Sequence, residues 1–371
     1  MKDDFSGKTL LVPFPVTLKA QTRKRMKIPK EYTSTALILA LLAIAVPVSL
    51  FFLPLLGRTI FSPDVYFHIP AWESPLYQLD VADRIFWGER FPKTLLAMFA
   101  GSGLALAGLV FQTLFRNPLA TPYTLGVASG ASFGASVFLY AAPAMFLHGV
   151  GFSFFGIPGV TWGALAGAIL ATFVVYGLSA AGNASAERML LAGVAVSYFF
   201  SSMILALQYM ADQSRTFQMI RWIMGGIDSC DPVQLTIVGA IVVVTAVTFF
   251  FQARELNLLL AGRERALAWG LSEKRFRLFL FFFASAVVGC IVAVCGPVAF
   301  VGLIVPHLCR LMVGNDHRVL VPAVFLLGSV FLGVCFTAAR ILLYPTILPV
   351  GILTSLMGGP FFLWLLLRSG K

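Results

Sequence analysis

Continuous apolar runs, separated by short polar stretches, fill the chain from about residue 35 to its end. They do not alternate with period two, as the strands of a membrane barrel would. A helix needs about 20 apolar residues to cross the hydrocarbon of a bilayer. On that ruler the pattern predicts spans near 35–55, 93–114, 121–141, 158–180, 188–210, 233–252, 276–295, 297–313, 319–341 and 347–367. The segment 297–313 is short and follows Gly296-Pro297 directly. The expected fold is an all-α polytopic membrane protein of ten transmembrane helices, with both termini on one side. One membrane-spanning domain, 35–371, follows a basic arm, 1–34.

Between the apolar runs lies one dense polar island, Arg254 to Arg277, reading RELNLLLAGRERALAWGLSEKRFR. A lysine or arginine at mid-bilayer costs roughly 2.5–3.5 kcal/mol, so this stretch belongs in water. Composition agrees with the pattern: 59% of the 371 residues are hydrophobic and 12% charged, about half the charged share of a soluble domain. The net charge of +11 would suit nucleic acid, but the basic residues cluster in inter-helix loops, as the positive-inside rule requires. With the N-terminus inside, twenty of the 27 Lys and Arg fall on the cytoplasmic side, the island among them. The expected orientation is therefore N-in and C-in, and no nucleic-acid partner is expected.

The arm 1–34 reads as a cytoplasmic tail facing anionic lipid headgroups. Its Gly7-Lys8-Thr9 lacks the upstream glycine of a phosphate-binding loop. The outer loop 56–92 mixes aromatics with carboxylates, either an interfacial belt or a surface for a partner. The segment 211–232 is too polar to span and reads as a short surface helix that breaks at Gly225-Gly226. Gly126, Gly130 and Gly134 recur every four residues, as do Gly159, Gly163 and Gly167 one span later. Each ladder lies on one helix face, suited to close helix packing or to lining a translocation path. Five cysteines and four histidines are scattered without metal-ligand spacing, so no metal or cofactor is expected on this chain.

No complete nucleotide-binding loop, metalloprotease motif or nucleophile elbow is present. The spans hold almost no carboxylates, whereas ion-coupled carriers place ionisable groups there. A self-sufficient secondary carrier or channel is thus the weaker reading. Uphill transport by this chain would draw its energy from another chain, and the polar island is where that chain would push.

Two stretches carry a resemblance. One is RFPKTLLAMFAGSGLALAGLVFQTLFRNPLATPYTLGVASGASFGA, Arg90 to Ala135. The other is GPVAFVGLIVPHLCRLMVGNDHR, Gly296 to Arg318, followed by LPVGILTSLMGGPFF at 348–362. Both resemble the membrane permeases of bacterial type II ABC importers for iron-siderophore complexes, haem and cobalamin. The resemblance implies a non-catalytic permease in the plasma membrane, with inverted pseudo-symmetry between the second to fifth and seventh to tenth spans. It also implies a second permease subunit, here expected to be a second copy. The further implied partners are two ATP-binding subunits, which carry ATP and Mg, an extracytoplasmic substrate-binding protein, and a metal-chelate substrate. Ferric siderophore is the leading expectation, with haem and cobalamin next.

By the same resemblance the island folds into coupling helices that dock on the ATPase, around Gly262, Arg263, Glu264, Arg265, Ala266, Trp269 and Gly270. Trp269 stands where the family has leucine. Leu256, Leu258, Leu259, Leu260, Leu267 and Trp269 offer apolar knobs within a charged rim. Arg90, Lys93 and Arg340 match positions that dock the binding protein, Lys93 replacing an arginine. Ser185 and Ala186 fall at the cytoplasmic gate. Two family carboxylates read Phe336 and Ile347 here, which should leave Arg340 freer. His307 and Arg310 match a family PHxxR motif, where a neutral structural histidine precedes an arginine expected to snorkel to the surface.

Overall fold

The computed structural model describes residues 30–57, 61–66, 80–141, 153–154, 156–180, 186–228, 230–262, 268–270, 272–343 and 346–369. Helix α1 covers Lys30–Phe52. Helix α2, Val81–Ile85, runs through a π-type turn at Phe86–Arg90 into α3, Phe91–Phe115. There follow α4 (Val127–Ala141), α5 (Gly159–Ala180), α6 (Ala186–Met210) and α7 (Gln213–Ile223). Next come α8 (Pro232–Phe251), α9 (Ala253–Ala261) and α10 (Glu273–Cys295). The last are α11 (Val301–Val313), α12 (His317–Leu342) and α13 (Val350–Ser369). A two-stranded antiparallel hairpin, Ser153–Phe154 with Ile157–Pro158, precedes α5.

Among the described residues, seven helices are long and apolar enough to cross a membrane: α1, the continuous α2–α3, α5, α6, α8, α10 and α12. Three shorter apolar helices accompany them, α4, α11 and the Val350–Leu365 part of α13. Two expected spans start late. The 121–141 segment turns helical only at Val127, because Pro118 and Pro122 bracket a turn and Gly126 takes a left-handed φ of 79°. In that turn the Thr121 amide donates to Thr124 Oγ1 at 3.0 Å. The 297–313 segment turns helical at Val301, after Gly296 at φ 65° and Phe300 at φ 66°. The polar segment after α6 forms α7, capped by Asp212, whose carboxylate accepts from the Arg215 amide at 2.9 Å. Gly225, at φ 69°, follows it.

The core is organised around α3, in which twenty residues from Thr94 to Phe115 are buried. Its glycines allow backbones to touch. A Cβ on Gly101 would stand 2.2 Å from the Gly328 carbonyl oxygen of α12, and one on Gly108 2.0 Å from that of Gly302 in α11. A second tight pair joins α4 to α5. There a Cβ on Gly134 would meet the Gly163 oxygen at 2.1 Å, and one on Gly167 the Gly130 oxygen at 2.1 Å. The two glycine ladders therefore face each other across one interface. Gly126 lies just before α4, and Gly159 opens α5. Outward faces of α5, α6 and α8 expose large apolar side chains such as Phe173, Phe199, Leu205 and Val244, as a hydrocarbon solvent permits.

Candidate functional site

The polar island is not a uniform loop. Its first part folds as α9, an amphipathic helix with Ala253, Leu256 and Leu259 buried, the two leucines in the bundle core. Leu256 and Leu259, expected as outward knobs, are fully buried, because α9 packs this side against α3 and α12. Leu260 and Trp269 do stay exposed, Trp269 at 67%, and the Arg254 guanidinium lies 5.7 Å from the Trp269 ring centroid. Gly262 (φ 111°) ends α9 and Gly270 (φ 78°) follows Trp269, both in backbone conformations that favour glycine. Arg263, Glu264, Arg265 and Ala266 lie outside the described residues. The island's last residues, from Glu273, already belong to α10.

Arg116, the residue that ends α3, locks this region. It caps α3 in a left-handed conformation, φ 48°. Its Nε and Nη2 donate to the Leu259 carbonyl at 3.1 and 2.7 Å, one of the last carbonyls of α9 that lack a helical partner. Nη2 also stands 4.0 Å from the Glu273 carboxylate at the start of α10, and Glu273 pairs with Arg277 one turn on. Arg310 does not snorkel outward. It is half-buried, and its Nη1 donates to Gln112 Oε1 at 2.5 Å, while Gln112 Nε2 donates to the Gly302 carbonyl at 3.0 Å. The neighbouring His307 ring packs edge-on against Phe361, centroids 5.7 Å apart.

At the other end of the bundle, the three residues expected from the resemblance to meet a binding protein occupy different settings. Lys93 Nζ pairs with Glu89 at 3.3 Å. Arg90 is 9% exposed, with its guanidinium 4.4 Å over the Phe61 ring. It also fills the space that a side chain at Gly57 would take, 2.7 Å from a Cβ there. Arg340 is not left freer by the loss of the family carboxylates. Its Nη2 donates to the carbonyls of Leu53 and Leu56 at 3.1 and 2.6 Å, just past the end of α1, and Phe336 places its ring 5.7 Å away. Aromatics described within the 56–92 segment pack on one another: Phe86 is fully buried and meets Tyr66 edge-on at 4.9 Å. The Tyr66 hydroxyl donates to the Phe51 carbonyl at 2.8 Å. At the expected gate, Ser185 lies outside the described residues and Ala186 is the first residue of α6.

A bundle of long apolar helices, built on glycine-mediated contacts and carrying the amphipathic α9 at one end, defines a polytopic membrane protein. The chain belongs to the FecCD transport family, which it matches over residues 34–368. It is 36% identical over 296 residues to the hemin transport system permease protein HmuU of Yersinia pestis, covering 78% of this chain and 85% of the relative. It is likewise 36% identical over 303 residues to the vitamin B12 import system permease protein BtuC of Salmonella typhi, covering 81% and 89%. Among solved structures it is similar to an inward-facing conformation of a transporter assigned to the metal-chelate ABC type. The TM-score there is 0.74 at 27% identity, over 90% of this chain and 99% of that one. PsaBC of Streptococcus pneumoniae, solved with a Fab, shares the fold at TM-score 0.52 and 15% identity.

Proposed function

We propose that this chain is the membrane-spanning subunit of an ATP-driven importer that passes a metal chelate from an extracytoplasmic binding protein to the cytoplasm. The observation that carries the reading is family membership across nearly the whole chain, joined to an island whose inner face is docked and whose Trp269 is exposed. The chain crosses the plasma membrane ten times, N-in and C-in, with α4, α11 and α13 as the short crossings. It pairs with a second copy, two ATP-binding subunits and a binding protein. ATP is hydrolysed on the ATP-binding subunits, which seat on the segment from Gly262 to Gly270, including Arg263, Glu264, Arg265 and Ala266. Arg90, Lys93 and Arg340 serve the binding-protein face, and Ser185 and Ala186 the inner narrowing. A ferric siderophore is the leading substrate. Haem and cobalamin are the second reading, favoured by the names of two relatives.

The test is co-purification. The chain alone should hydrolyse no ATP. Arg263→Glu with Arg265→Glu should release the ATP-binding subunits while leaving the membrane fold intact. Unchanged co-purification, or ATP turnover by the isolated chain, would refute the reading.

A further inference from the structure

Helix α9 has only nine residues, too few for a helix to persist by local bonding alone. Its position is set by what it touches. The buried Leu256 and Leu259 supply cohesion, but apolar contact is non-directional and lets a helix slide. Direction comes from a line of hydrogen bonds linking α9 to α12 and α3. Asn257 Nδ2 donates to Asp316 Oδ1 at 2.7 Å, and Asn257 Oδ1 accepts from the His317 amide at 3.0 Å. The same oxygen lies 2.7 Å from His317 Nδ1, and His317 Nε2 lies 2.8 Å from Thr113 Oγ1. Thr113 and His317 are each 1% exposed.

With a neutral imidazole bearing its hydrogen on Nδ1, Nδ1–H donates to Asn257 Oδ1 and Asn257 donates to Asp316, while Thr113 Oγ1 stands 2.8 Å from His317 Nε2 and 2.9 Å from the Leu109 carbonyl, so its one hydrogen is shared between the two acceptors. The line begins in the last turn of α3 and passes through the first residue of α12. Those two helices are themselves in backbone contact at Gly101 and Gly328. α9 is thus registered against the most buried part of the bundle, while its far end leads straight into the charged loop.

We propose that Thr113, His317 and Asn257 are positioning residues that make α9 move as one body with α3 and α12, so that a displacement of the loop reaches the membrane helices. This rests on the importer reading above. Thr113 offers a test that separates hydrogen bonding from packing, because valine keeps its shape and serine keeps its hydroxyl. The full chain, assembled in liposomes with its ATP-binding and substrate-binding partners, is assayed for uptake of ferrichrome, hemin and cyanocobalamin per ATP hydrolysed. Thr113→Ser should keep the wild-type ratio. Thr113→Val and Asn257→Ala should lower it about 5-fold or more while hydrolysis continues. If Thr113→Val behaves as wild type and Thr113→Ser does not, the site is packing alone and the proposal falls. An unchanged ratio in Asn257→Ala, which alters a half-buried position, overturns it equally. A wild-type complex that moves none of the three probes overturns the importer reading, and the tie with it.

Discussion

The facing glycine ladders allow a sharp test of how the bundle is held together. Alanine at Gly167 would place its Cβ 2.1 Å from the Gly130 oxygen and 2.9 Å from its carbonyl carbon, where ordinary contact begins at 3.4 Å. Backbone atoms cannot turn aside as side chains do, so α4 and α5 must separate by the difference, 1.3 Å. A radial gap of that order forfeits at least a quarter to a half of each dispersion contact along the seam, and overpacking of this kind costs about 1–3 kcal/mol. Gly177 lies on the same helix, yet a Cβ there meets nothing within 4 Å. Gly177→Ala should therefore gain up to about 1 kcal/mol of helix propensity. Thermal unfolding in detergent can be followed by a thiol-reactive dye, because Cys295, Cys309 and Cys335 are free and buried. Gly167→Ala should lower the midpoint by several degrees and Gly177→Ala should hold or raise it. If both variants shift it in the same direction by the same amount, close backbone approach is not what joins these helices.

The same assay serves two further positions. Arg340→Met orphans the carbonyls of Leu53 and Leu56 and should cost about 1.5–3 kcal/mol. Arg340→Lys should recover part of that, since an ammonium reaches one carbonyl but lacks the planar fork; a neutral Arg340→Met would refute the anchoring role. Burial pushes the Asp316 carboxyl up, but hydrogen bonds from the Arg318 amide and Asn257, with Arg318 and His317 beside it, outweigh this and hold it below the usual range. A carboxylate depressed in the folded state contributes stability above its unfolded value of about 3.9, and that contribution is lost as pH falls through the folded value. The midpoint gap between wild type and Asp316→Asn should thus be widest near neutral pH and shrink below about pH 4. A gap independent of pH would show that the charge of Asp316 is not the source.

Much of the architecture was legible because hydrocarbon imposes a one-dimensional rule: a crossing helix must be long, apolar and uncharged. The runs at 35–55, 158–180 and 319–341 met that rule and are helices within a few residues of the expected bounds. Helix starts were less legible where proline and glycine intervene, as at Val127 and Val301, since apolarity continues through a turn buried in protein. Island residues were legible as charged, but the sense in which each faces was not. Leu256 and Leu260 are both leucines of one short helix, and only contact with α3 and α12 makes one core and the other surface.

Continuous apolar runs and charge asymmetry by themselves determined the membrane class, and the absence of a nucleotide site made a separate energy source an expectation. Family motifs in the sequence pointed to the importer permeases. Tertiary structure alone decided that the two glycine ladders meet each other and that Arg340 binds carbonyls past the end of α1 instead of standing free. It alone brought Asn257, His317 and Thr113 into one line, though 60 and 204 residues separate His317 from the other two. The physical reason is range. Solvent preference acts on each segment separately and can be read along the chain, whereas a hydrogen bond or a backbone contact needs two distant segments at a fixed separation.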